Sequence, residues 1–108
     1  MDMITIDDFK KVELKVARIL EVNPHPNADK LYVVKIDTGA QQKQIVAGIK
    51  NFYRPQDLVG KLVVIVDNLP PVVLRGVESQ AMLLAASSGE QMSILTLDKP
   101  VSLGSQIK

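Results

Sequence analysis

The 108-residue chain has no cysteine, no tryptophan, one histidine, and only two tyrosines and two phenylalanines. Without cysteine there is no disulfide and no thiolate zinc site. The one histidine, His25, is held between Pro24 and Pro26 in what reads as a loop. A lone imidazole does not assemble a typical transition-metal site, and a histidine-based triad would need a nucleophile beside it. No Gly-x-Ser-x-Gly turn and no glycine-rich phosphate loop with a lysine is present. The carboxylates are scattered over turns and strand faces. No catalytic residue, metal or cofactor is expected.

Charge of one sign is also scarce: 13 basic residues stand against 12 acidic ones, for a net charge of +1. Non-specific nucleic-acid binders depend on phosphate neutralisation and show a clear basic excess. A nucleic-acid ligand here would have to be recognised by a local patch and by shape. Phe9, Tyr32, Phe52 and Tyr53 are too few to stack many bases and also fill a core, which argues against a general single-strand binder. Tyr53, with Lys50, Asn51 and Arg54 nearby, is the one constellation of that kind. Apolar runs such as Leu62 to Val66 are far too short to span a bilayer. Met1 to Ile4 carries no basic region or apolar stretch of a signal peptide. A cytoplasmic location without a membrane is expected.

What the chain does have is enough apolar residues, 46%, for one globular domain over 1–108. Thr5 to Lys11 reads as a short helical turn capped by Thr5, with Asp7 and Asp8 at its positive end and lysines at the other. Val12, Leu14, Val16, Leu20 and Val22 alternate with mostly polar residues and predict a long half-buried strand. The alternation breaks at Arg18 and Ile19, which predicts a bulge or bend there. Leu31 to Asp37 turns at Thr38-Gly39-Ala40 and returns as Gln44 to Gly48, a hairpin. Pro55 to Gly60 opens on a proline allowed at a first helical position and stops on glycine. Lys61 to Val66 is a buried strand, and Asp67 to Gly76 a long connection stiffened by Pro70-Pro71. Ala81 to Ala86 and Gln91 to Leu97 form a second hairpin around Ser87 to Glu90. Pro100 to Lys108 is a further short extended piece.

Five strands with a small helix between the third and fourth predict an all-β, five-stranded Greek-key barrel of the OB-fold type. The barrel covers about 12–97, with a C-terminal extension over about 98–108. An SH3-like barrel or a sandwich fits the composition as well, and the helix before Lys61 decides against them.

Asn23 to Lys30 is the most informative stretch. Its two prolines fix φ and push the residues before them into extended conformations, while Asn27, Ala28 and Asp29 suit a turn. The result is a stiff loop that sets Lys30 where it meets the sheet, able to contact phosphate or a base edge. The residues alone favour an ordinary solvated lysine, and Asn27 is a weaker ligand candidate. Arg75-Gly76 follows the uncharged run Leu69 to Leu74. There an arginine either forks onto phosphate or simply solubilises an apolar connection. Ser79 to Met82 offers a hydroxyl, an amide and a thioether as a mixed surface for a base, although a methionine in a strand is more often core. The apolar run Leu69-Pro70-Pro71-Val72-Val73-Leu74, together with the tail, suggests a self-association surface. Its other reading is a loop folded across its own barrel.

The blocks Pro24-His25-Pro26-Asn27-Ala28-Asp29-Lys30-Leu31-Tyr32, Val46-Ala47-Gly48-Ile49, Asn68-Leu69, Arg75-Gly76 and Glu78-Ser79-Gln80-Ala81-Met82-Leu83-Leu84-Ala85-Ala86, in that order, resemble one family. It is the tRNA-binding OB domain found as the C-terminal appendage or β-subunit of methionyl-tRNA synthetases. The domain also occurs as a free-standing structure-specific tRNA-binding protein and in the endothelial monocyte-activating polypeptide group. The resemblance runs from Ile6 to Lys108. It implies a non-catalytic module that binds tRNA by shape and works as a homodimer joined through the region after the barrel. A methionyl-tRNA synthetase catalytic chain is implied as a partner. The implied tRNA contacts are Lys30, Asn68, Arg75, Ser79 and Met82, to which the loop residues Asn27, Lys50 and Asn51 are added. Two departures stand out: Ala81 where many relatives carry glycine, and few positive charges around Val72 to Leu74. A peptide-binding, chaperone-like dimer of the CsaA type shares the barrel and similar motifs and is the alternative reading. The Pro-Asn-Ala-Asp-Lys-Leu form favours the synthetase group.

Overall fold

Thr5 and Asp8 open the chain's first element by satisfying each other's amides. In this capping box the Asp8 N–H donates to Thr5 Oγ1, the Thr5 N–H donates to an Asp8 carboxylate oxygen, and α1 spans Ile6–Lys10. The computed structural model describes residues 2–108. After α1 the amides of Lys11 and Val12 still bond back to Asp8 and Phe9. The first strand therefore begins two residues later than the apolar alternation predicts, at Leu14.

That strand, β1 (Leu14–Pro24), serves two neighbours in turn. Its first part, Leu14 to Arg18, pairs antiparallel with β4 (Leu62–Val66), and its second, Arg18 to Pro24, with β2 (Tyr32–Asp37). The register slips between Ile19 and Glu21, so the expected irregularity falls at Leu20. An extra residue there bends the strand, which lets one strand curl from one wall of a barrel into the next.

The hairpin of β2 with β3 (Gln42–Ala47) extends the sheet. β3 starts two residues earlier than predicted because Gln42 and Lys43, although polar, continue the ladder. α2 (Pro55–Leu58) inserts the fully buried Leu58 beneath the sheet, and Gly60, at φ +90, reverses the chain into β4. The sheet order is β3-β2-β1-β4-β7, with β7 at Met82–Leu83. Ile19, Ile36, Ile45, Leu58 and Ile65 are completely buried inside this curl, each contributing about 2–3 kcal/mol of hydrophobic stabilisation. The result is a mostly-β, OB-like barrel with its short helix between β3 and β4.

Side chains close the curl where backbone ladders do not. The free edge of β3 exposes the N–H groups of Gln44 and Val46. Gln80 Oε1 accepts the first at 2.8 Å and Ser79 Oγ the second at 3.0 Å, while the Gln80 N–H donates to the Gln44 carbonyl at 2.8 Å.

The connection expected over Asp67 to Gly76 is not all loop. It contains β5 (Val72–Leu74), which pairs with β6 (Val77–Ser79) across a two-residue turn of Arg75 and Gly76, both at positive φ (54° and 88°). Positive φ at both central residues is the turn geometry that matches strand twist in a tight hairpin. The single strand expected over Ala81 to Ala86 is broken at Leu84. β7 stays in the main sheet, whereas β8 (Ala85–Ser88) leaves it to pair with β9 (Gln91–Ile94) in a separate ribbon.

The C-terminal tail lies along the first part of β1. The amides of Val16, Gly104 and Ile107 bond to the carbonyls of Ser105, Val16 and Leu14 at 3.0, 2.8 and 2.8 Å. Gly104 and Gly39 allow this crossing, since a side chain on either would start 2.8 Å from a backbone carbonyl oxygen of Thr38 or Leu103.

Asp67 anchors the start of the connection after β4. Lys43 Nζ donates to one carboxylate oxygen at 2.7 Å, and Lys15 Nζ lies 3.2 Å from the other. Burial works against ionisation of Asp67, but the bonds from Lys43 and Lys15 outweigh it and hold the carboxyl below its usual range. A depressed folded value means that the stability from this group is present above the unfolded value of about 3.9. It is lost as pH falls through the lower folded value. The urea midpoint should therefore fall as the pH drops below about 3.9, and Asp67→Asn should flatten that limb while lowering stability at neutral pH by about 1–2 kcal/mol. An unchanged acid limb in the variant would assign the fall to other carboxylates.

Candidate nucleic-acid interface

The loop that leaves β1 at Pro24 is closed on itself: the His25 N–H donates to the Leu31 carbonyl at 3.0 Å. Only 5% of His25 is exposed, and both ring nitrogens are bonded. The Asn27 N–H lies 2.9 Å from Nδ1, and Nε2 lies 2.9 Å from the Leu74 carbonyl oxygen. A backbone N–H can only donate, so Nδ1 is the bare acceptor and Nε2 carries the hydrogen. A second tie runs from Asn27 Nδ2 to the Arg75 carbonyl at 3.3 Å. The loop predicted over Asn23 to Lys30 is thus joined to the β5–β6 hairpin, a link between segments far apart in the sequence.

Of the eight residues expected to contact ligand, Asn27 and Arg75 are brought into direct contact. Lys30 and Arg75 are exposed, and neither has an ion-pair partner among the described residues. Lys50 and Asn51 leave the sheet at the same end as Lys30. Tyr32 pairs with Ala47, and Leu31 lies 3.7 Å from where a side chain on Gly48 would begin. These cations and amides form a rim around one mouth of the barrel.

Met82 is 46% exposed and lines an apolar pocket of about 190 Å³ with Val46, Leu69, Pro70, Val72 and Leu74. The thioether therefore faces a recess beneath the hairpin rather than the core. Ser79 borders the same recess but is only 4% exposed, and its hydroxyl accepts from Val46 and donates to the Ala81 carbonyl at 3.0 Å. Asn68 also bonds backbone, its Nδ2 donating to the Lys11 carbonyl at 2.7 Å and its Oδ1 accepting from Glu13 at 2.9 Å. Tyr53 is half-buried, with Lys61 Nζ 6.0 Å from its ring centroid. Its hydroxyl accepts from the Ile94 N–H at 3.1 Å, its carbonyl accepts from Tyr32, and Arg54 pairs with Asp57.

Fold and rim together define a small β-barrel binding module whose polar groups project from loops at one mouth. The family model of the tRNA binding domain matches residues 14–106, and the chain belongs to that family, one of binding rather than catalytic domains. It is 54% identical over its full length to methionine–tRNA ligase of Thermococcus kodakarensis, of which it covers 15%. The chain thus spans about 15% of the length of the curated ligases it matches first. Among solved structures, the MetRS related protein from Pyrococcus horikoshii superposes with a TM-score of 0.93 at 29% identity, covering 100% of both chains. The CsaA chaperone protein from Picrophilus torridus superposes with a TM-score of 0.90 at 33% identity, covering 98% of this chain and 100% of that one. No helix among the described residues is long and apolar enough to cross a membrane.

Proposed function

We propose that the chain is a structure-specific tRNA-binding module that acts as a homodimer in the cytoplasm and raises the affinity of a methionyl-tRNA synthetase for tRNA. The observation that carries this reading is the joining of the Lys30 loop to the Arg75 hairpin. Cations without an ion-pair partner among the described residues stand on a rim held by hydrogen bonds, so a nearly neutral protein presents a few well-placed charges to a folded polyanion. The recess at Met82 adds apolar contact beside them. Ser79 braces the β3 edge next to that recess.

Two observations support self-association. No residue of α1 is buried, and Met3, Ile4 and Ile6 are 96%, 71% and 66% exposed. Beside them runs a groove of about 340 Å³ between α1 and Gln106 to Lys108. Asn68 ties the start of the exposed run Leu69 to Leu74 to the segment following α1, so two apolar stretches adjoin. A second copy of the chain is the occupant we assign to this face. Two linked modules acting on one ligand or one enzyme gain through effective concentration.

The apolar recess at Met82 also favours a second reading, the peptide-binding dimer of the CsaA type. An electrophoretic shift with unfractionated tRNA at low salt, repeated with an unfolded polypeptide as competitor, separates the two. The proposal expects a tRNA complex that the polypeptide does not displace. A polypeptide complex with no tRNA shift would replace it.

A further inference from the structure

We infer that His25 is a positioning residue for RNA binding: a neutral imidazole latch that fixes the Lys30 loop against the Arg75 hairpin. The inference rests on the reading of that rim as the tRNA-contacting surface.

The two segments reach the rim from different parts of the chain. The base of the hairpin is tied to β3 through Glu78, Ser79 and Gln80, whereas its outer strand β5 and the Arg75-Gly76 turn lie beyond those bonds. β5 has all three of its residues exposed, so little apolar burial fixes that strand. The loop before Leu31 is short and polar. Across the gap between them run the His25–Leu74 bond at 2.9 Å and the longer Asn27–Arg75 bond at 3.3 Å.

Both bonds depend on the imidazole. Nδ1 accepts the Asn27 N–H and so sets where the Asn27 side chain starts. Nε2–H holds the carbonyl of Leu74, the residue directly before Arg75, which itself sits at φ 54. The flanking prolines hold the backbone on either side of the ring. A ring this buried, with both nitrogens bonded to backbone, has no polar atom left for a ligand and acts through the residues it places. Its bonds orient the rim as outer partners orient a ligating side chain.

Three substitutions separate positioning from simple stabilisation. His25→Phe keeps the ring volume without either bond. His25→Asn places an amide oxygen near Nδ1 and retains only the bond to Asn27. His25→Gln reaches the Nε2 position and can still donate to Leu74. With folding of each variant confirmed by circular dichroism and urea titration, tRNA affinity is measured by fluorescence anisotropy over a range of salt. His25→Phe and His25→Asn should lose about ten-fold in affinity, and His25→Gln less than about three-fold. In a Lys30→Ala/Arg75→Ala background, His25→Phe should cause no further loss, because the latch then has nothing to position. Wild-type affinity in folded His25→Phe would overturn the inference, as would an equal loss in both backgrounds. The tRNA reading would survive either result. No binding by the native protein would instead remove that reading, and the inference with it.

Discussion

Replacing Lys30 and Arg75 together by alanine is expected to weaken tRNA binding by roughly thirty-fold at low salt, with about 1 kcal/mol for each exposed phosphate contact. The dependence of log K on log salt should flatten by about 1.4–1.8, since each lost contact releases fewer counterions. Stability should hardly move. Neither side chain has an ion-pair partner among the described residues, and alanine at position 75 bears the same positive-φ strain as arginine does. Lys50→Ala should give a smaller loss of the same kind. Anisotropy titrations at several salt concentrations check both variants. A double variant with the native slope would move the contact surface elsewhere on the barrel.

Ser79→Ala is expected to show the opposite pattern, with stability lost and the affinity of the folded protein kept. Ser79 Oγ satisfies both the Val46 N–H and the Ala81 carbonyl at the seam between β3 and the strands that follow β6. Removing it leaves two largely buried backbone groups without partners, at a cost of about 2–3 kcal/mol. For a domain of this size that lowers Tm by roughly 10–20 °C. Urea denaturation gives the stability and tRNA titration well below Tm gives the affinity. If affinity fell while the urea midpoint stayed at the wild-type value, Ser79 would have to touch the ligand.

The elements legible in the sequence were those set by local chemistry. Thr5 with Asp8, the alternation through Val16 to Val22, the Thr38-Gly39 turn, and Pro55 before Gly60 each carry a signal within a few residues. Elements that depend on distant partners were harder to read. Arg75-Gly76 makes a tight hairpin, but arginine is not a usual residue at positive φ, so Asp67 to Gly76 read as connection. Leu84 breaks a continuous apolar run because the barrel has closed by that point and the chain must leave the sheet. The run Ala81 to Ala86 contains no mark of that.

The same division holds for the candidate site. The Asn23 to Lys30 loop announced itself through its prolines. Its tie to Leu74 spans 49 residues, and no local pattern reports such a bond. Ser79 and Asn68 read as ligand groups because hydroxyls and amides look alike whether they face backbone or solvent. Their buried or bonded roles follow from the closure of the barrel at β3 and from the packing of Lys11 to Glu13. His25 read as a loop residue, which it is. Its burial and its two bonds became visible only with the hairpin in place.

The central claim is that few, accurately placed charges recognise the folded shape of tRNA. It is tested most directly by comparing one tRNA in two states, folded in magnesium and unfolded by heating with chelator, in anisotropy titrations at equal ionic strength. The account predicts that the folded form binds at least about ten-fold more tightly, since unfolding leaves the phosphates but removes their arrangement. Equal affinity for the two forms would contradict it.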